Sequence, residues 1–221
     1  MKFLVAAVAL ALTVLAAPAA AEKADRLHET GYLALTEFVS TDPSGCVVTT
    51  LPLYLRDGRL EFTGEVNGGP GHPRGPYLDV DPLEVRNTCT GEVLLQAFGS
   101  TSAFDLRVEP QLAAATLTAR VPMFDCLKDV CDCEGEGCPA PTFVLDLDLT
   151  WTANGKLQRL HEPFHDIIDG DVRNVSLNGV TRQMVVTGTA TDGATNYVPE
   201  PSTSAELRRW TYNWVNARRR D

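Results

Sequence analysis

His161-Glu162-Pro163-Phe164-His165 spells the H-E-x-x-H pattern of zinc hydrolases. On a helix that spacing puts both histidines on one face, one turn apart, with the glutamate beside a metal-bound water. Pro163 stands in the middle of the turn the pattern requires. It removes a backbone donor and clashes with the preceding turn, at about 3 kcal/mol in a helix interior. No amphipathic helical pattern surrounds the motif, and no third histidine follows His165. A zinc site at His161, Glu162 and His165 therefore stays an alternative, and the leading expectation is a polar segment without metal or cofactor. Asp166, Asp169 and Asp171 follow at once and could offer oxygen ligands to calcium, but they do not fit the twelve-residue helix–loop–helix spacing. Asp146 and Asp148 lie two residues apart, about 7 Å by strand rise, near the separation of paired glycosidase carboxylates. They also read as the polar positions of an alternating strand. No nucleophile elbow, phosphate-binding loop or dinucleotide fingerprint is present.

The six cysteines fall into two groups. Cys46 and Cys89 are isolated, whereas Cys126, Cys131, Cys133 and Cys138 crowd one loop. Six cysteines allow fifteen pairings, and sequence does not select one. Proximity favours pairing within the loop, which leaves Cys46 with Cys89. A four-thiolate metal site is the alternative, although the spacing Cys-x4-Cys-x-Cys-x4-Cys departs from zinc knuckles. Asp125, Asp129, Asp132, Glu134 and Glu136 also oppose thiolate formation there.

Compartment follows from the first 21 residues. Lys2, the apolar run Leu4 to Leu15 and the small residues Ala19-Ala20-Ala21 read as a signal peptide, too short in its apolar part to span a bilayer. The expected mature domain is 22–221, secreted or periplasmic, where disulfides persist. The formal charge is −10. An acidic body repels nucleic acid and anionic membrane, since such binding needs clustered Lys and Arg. A nucleic-acid partner and a membrane span are thus not expected. The ligand stays unspecified, a glycan or a protein.

Alternation of period two dominates the chain. Phe143, Leu145, Leu147, Leu149 and Trp151 share one face, while Asp146, Asp148 and Thr150 share the other. Ala113 to Val121 and Phe104 to Val108 behave alike. Asp57-Gly58, Asn154-Gly155 and Asn178-Gly179 read as tight hairpin turns. The reading gives nine or ten strands, near 31–40, 46–55, 59–66, 77–88, 92–98, 102–109, 112–124, 142–152, 172–178 and 181–191. Loops are expected at 68–76, 125–141 and 161–171. The fold class is all-β, an antiparallel β-sandwich in one domain with a disulfide-rich loop. The tail from Pro199 is ambiguous between strand and helix. Its Trp210, Tyr212 and Trp214 could form an aromatic surface for a glycan, as in a carbohydrate-binding module, or complete a core edge.

Three stretches carry a likeness: Asp42-Pro43-Ser44-Gly45-Cys46-Val47, Leu147-Asp148-Leu149-Thr150-Trp151, and Asp192-Gly193-Ala194-Thr195-Asn196 running into Pro199-Glu200-Pro201-Ser202. With them the chain resembles a set of secreted bacterial β-rich proteins without an assigned function. The resemblance implies retention of Cys46 and Cys89, a locally added Cys126–Cys138 cluster that pairs within itself, and no substrate, cofactor or catalytic residue. The chain is therefore expected to be a secreted, non-enzymatic binding or structural β-sandwich protein.

Overall fold

The computed structural model describes residues 25–63, 75–127, 140–168 and 171–217. The leader, the cysteine-rich stretch from 128 to 139, Asp169 and the last four residues lie outside them. Ten strands form one antiparallel sheet. They are β1 (Asp25–Thr41), β2 (Val47–Thr63), β3 (Tyr77–Asn87), β4 (Val93–Thr101), β5 (Phe104–Val108), β6 (Ala114–Asp125), β7 (Phe143–Ala153), β8 (Gln158–Ile168), β9 (Asp171–Thr191) and β10 (Ser202–Ala217). A single 3-10 turn at Pro110–Leu112 links β5 to β6.

The all-β antiparallel architecture is as expected, and the pairing adds how its layers are joined. The ladder runs β1–β2–β3–β4–β6–β7–β9–β10 and returns from β10 to β1, so the opposing layers are walls of one closed sheet. Closure satisfies edge donors and acceptors that an open sandwich leaves exposed. β5 prolongs the line of β4 along β6, and β8 prolongs the line of β7 along β9. Inside the ring the alternation seen in the sequence becomes the core. Leu145, Leu149 and Trp151 of β7 meet Leu117 and Val121 of β6 and Leu51, Leu55, Leu78 and Val80 of β2 and β3 in one buried cluster. Trp151 Nε1 donates across the ring to Thr36 Oγ1 of β1 at 2.9 Å, which satisfies the indole where water is absent.

Two of the three expected tight turns are absent, and the third, Asn154-Gly155, separates β7 from β8 without closing a hairpin, since both strands pair with β9. Asp57-Gly58 lies inside β2 and Asn178-Gly179 inside β9, so each pair of strands expected on either side of them is one continuous strand, Val47–Thr63 and Asp171–Thr191. Neither glycine has the positive φ that a tight hairpin needs. Both meet a close backbone or side-chain approach instead. A Cβ on Gly58 would strike Glu29 Oε1, and one on Gly179 would sit 2.9 Å from Trp210 Cα. Register places Gly179, Trp210, Gly31 and Gly58 in one row across β9, β10, β1 and β2. Bare glycine on both sides of Trp210 leaves room for its indole between neighbours only one strand spacing away.

The stretch expected as a loop at 161–171 belongs to β8 as far as Ile168, and Asp171 opens β9. The tail is also a strand, β10, bridging β1 and β9. The Cys46–Cys89 disulfide is present, with Cα atoms 5.2 Å apart. Cys46 immediately precedes β2 and Cys89 follows β3, next to the pair Val47 and Asn87. Asp42 Oδ1 accepts from the Val47 and Cys46 amides at 2.8 and 3.1 Å, fixing the approach to the bond. Cys126 is disulfide-bonded as well. Cys131, Cys133 and Cys138 lie outside the described residues.

Candidate functional site

The strand β8 removes the geometry that H-E-x-x-H requires. On a strand, residues four apart are separated by about 13 Å, and a residue one along points to the opposite face. His161 and His165 therefore cannot converge on one ion in the manner of a helix, and Glu162 stands on the other side of the sheet. His161 is exposed, with Nδ1 2.5 Å from Asn178 Oδ1 across the β8–β9 pair. Pro163, out of place in a helix, suits a strand that pairs on one side only, because a missing donor does no harm at an edge. Asp166 lies in β8 opposite Arg173 and Asp171 opens β9 opposite Ile168, while Asp169 lies outside the described residues. Among the described residues, no three His, Cys, Asp or Glu side chains are grouped to hold a metal ion. Asp146 is exposed and paired with Arg120 at 2.8 Å, and Asp148 is exposed one pleat away.

Trp210, considered as an exposed glycan platform, is buried at 7% exposure. Tyr212 packs edge-on to it with ring centroids 6.2 Å apart. The side chain of Trp214 is outside the described set. Over the Trp210 ring sits the Arg56 guanidinium, 4.8 Å from the centroid, and Arg56 forms a bidentate pair with Glu29, Nε to Oε1 at 2.8 Å. Both partners of that pair are nearly buried, with side-chain exposures of 11% and 7%. The cluster thus holds an arginine between a carboxylate and an indole face, two favourable environments for a desolvated guanidinium.

Farther along the same outward face, a groove of about 810 Å³ opens between β1, β2, β3 and β10. Register shows why these residues gather. Leu35 pairs with Tyr54 and with Glu206, and Tyr54 pairs with Asp79, so all four point away from the core from neighbouring strands. Tyr54 and Tyr77 stack with centroids 5.4 Å apart and planes 24° apart. Burial and the Tyr77 hydroxyl push the Tyr54 phenol up to about 12, so it stays a neutral donor throughout the physiological range. Asp79, Asp81, Glu37 and Glu206 supply carboxylates, and Gln183 and Ser204 add neutral polar groups. Glu206 is held below its ordinary range by Arg208, which donates Nε at 2.7 Å and Nη2 at 3.1 Å, with Thr181 Oγ1 as a further donor. Asp79 moves the other way: burial, then the neighbouring Asp81 charge, raises its carboxyl.

No family model, curated protein or solved structure matches this chain.

The groove residues escaped the sequence reading because they are spread over several strands far apart in sequence, with Leu35, Tyr54, Asp79 and Glu206 at solvent-side positions. One signal was available. Tyr77, Asp79 and Asp81 repeat at i, i+2 and i+4 in β3, which puts an aromatic ring and two acids on one strand face, the residue types that line ligand clefts.

Proposed function

We propose that this chain is exported and acts as a non-enzymatic binding protein, with the groove between β1, β2, β3 and β10 as its ligand site. The carrying observation is the stacked Tyr54–Tyr77 pair beside Asp79 and Asp81 on the wall of an open cavity. Its volume falls within the usual range for small-ligand clefts, roughly 300–1,000 Å³, and its lining combines flat apolar rings with a few convergent polar groups. Export is supported by the apolar leader at residues 1–21 and by the Cys46–Cys89 bond, which suits an oxidising compartment. No described helix is long and apolar enough to cross a membrane.

A ligand array spanning amines, neutral saccharides and short peptides tests the assignment with wild type and the Tyr54→Ala/Tyr77→Ala variant. Binding by wild type that the double variant loses, at unchanged circular dichroism, is the expected result. Equal binding by both proteins overturns the assignment. Hydrolysis of a saccharide or peptide panel, abolished by one substitution in the groove, overturns its non-enzymatic part.

A further inference from the structure

We propose that the groove takes a small organic cation, an ammonium carried on an apolar stem, with the charged head among Asp79, Asp81 and Glu37 and the stem against Tyr54 and Tyr77. This rests on the groove being the ligand site and adds the chemistry of its occupant. Four carboxylates line the cavity, and no lysine or arginine does. Glu206 is already neutralised by Arg208. Among the described residues Glu37, Asp79 and Asp81 form no ion pair, whereas Glu29, Glu84, Asp105 and Asp146 each do. The structure therefore leaves negative charge uncompensated at one concave place and compensates it at several others.

Each alternative occupant fits less well. An anion would meet three like charges. A neutral sugar could stack on the tyrosines and donate to the carboxylates, but would leave their charge uncompensated in a partly desolvated cleft. An ammonium on an alkyl stem satisfies both halves of the lining: carboxylates bind the head, and a tyrosine face accepts stem or head, the latter by cation–π attraction. Asp79 agrees with that geometry. Burial and then the Asp81 charge disfavour its charged form in the empty groove, and a paired cation offsets that penalty.

Calorimetric titration with spermidine is the test, run beside cellotriose and a Gly-Lys-Gly peptide at two salt concentrations. Spermidine is expected to bind, more weakly at high salt, and to lose at least tenfold in affinity in Asp79→Asn/Asp81→Asn. The substitution Asp148→Asn, an exposed acid on β7 away from the groove, should leave affinity unchanged. Because burial disfavours the Asp79 charge, Asp79→Asn should melt no lower than wild type at neutral pH, which separates lost binding from lost fold. Equal weakening by Asp148→Asn would mean diffuse attraction to an acidic surface, and overturns the proposal. Tighter, salt-independent binding of cellotriose that depends on Tyr54 overturns the cation but keeps the groove as the site. Binding of the peptide without binding of spermidine overturns the claim for a free organic amine, because the feature recognised would then be the peptide backbone. Failure of all three ligands overturns the cation proposal, while the wider array with the tyrosine variant still decides the groove.

Discussion

Replacing Gly31 by alanine pits two effects of opposite sign against each other, and the structure says which wins. Gly31 does not have a positive φ, so backbone entropy alone predicts that alanine stabilises by about 0.4–1 kcal/mol through the unfolded chain. In the folded sheet, however, the new Cβ would press on the Asp57 carbonyl oxygen and lie 2.6 Å from Gly58 Cα. Both obstacles are backbone atoms of the paired strand and cannot rotate aside. Overpacking of this kind costs about 1–3 kcal/mol. The net expectation is destabilisation by about 1–2 kcal/mol, which for a chain of this size lowers the melting temperature by roughly 2–8 °C. Urea unfolding with an unchanged m-value, backed by calorimetry, measures it. Trp210→Ala should cost more, about 3–5 kcal/mol, because it empties the space between Gly31 and Gly179. Trp210→Phe should cost far less than Trp210→Ala, since the indole N–H is buried without a partner among the described residues and its removal breaks no hydrogen bond there. A Gly31→Ala protein as stable as wild type would refute the reasoning: the β1–β2 contact would have to be looser than the register requires.

Three further outcomes follow from particular contacts. Arg56→Met should destabilise by about 3–5 kcal/mol by leaving Glu29 charged and buried, while Glu29→Leu/Arg56→Met recovers most of the loss; the two urea midpoints decide it. Removing the Cys46–Cys89 bond, which spans a separation of 43 residues, should cost up to about 4 kcal/mol, read as the difference between oxidised wild type and Cys46→Ser/Cys89→Ser. For Asp192, burial opposes the charge, but donors from Thr195 at 2.7 Å, the Tyr197 hydroxyl at 2.7 Å and Ala194 at 2.9 Å outweigh it and lower its carboxyl below the ordinary 3.8. Its stabilisation is therefore full above that value and lost as pH falls through the lower folded one, so Asp192→Asn should be less stable at pH 7, by about 1 kcal/mol, and show a shallower acid-side decline in a pH series of melts.

The elements legible in the sequence were those with one wet and one dry face. In β6 and β7 every second residue is buried, and the period-two pattern alone located both strands and the core residues Leu117, Val121, Leu145, Leu149 and Trp151. β8 was hard to read because Glu162 and Asp166 interrupt Leu160, Phe164 and Ile168 on one period-two face, and Pro163 stands among polar residues on the other. Gly58 and Gly179 were misleading for a different reason. Asp-Gly and Asn-Gly signal positive φ when a turn is needed, yet a strand also selects glycine where a neighbouring strand comes too close for a Cβ. Trp210 follows the same logic: it alternates as a strand residue, but its burial comes from the row of glycines beside it, which no local pattern reveals. The groove was hidden by distance in sequence, since Leu35, Tyr54, Asp79 and Glu206 become neighbours only through the register of four strands.

Amide chemical-shift mapping during a spermidine titration tests the central claim most directly. The groove account predicts saturable shifts clustered at residues 35–37, 53–54, 77–81 and 204–206, with Tyr54 and Asp79 among the largest and little change along β6 and β7. Shifts centred on His161 and the β8–β9 pair, or spread evenly over the acidic surface, would contradict it.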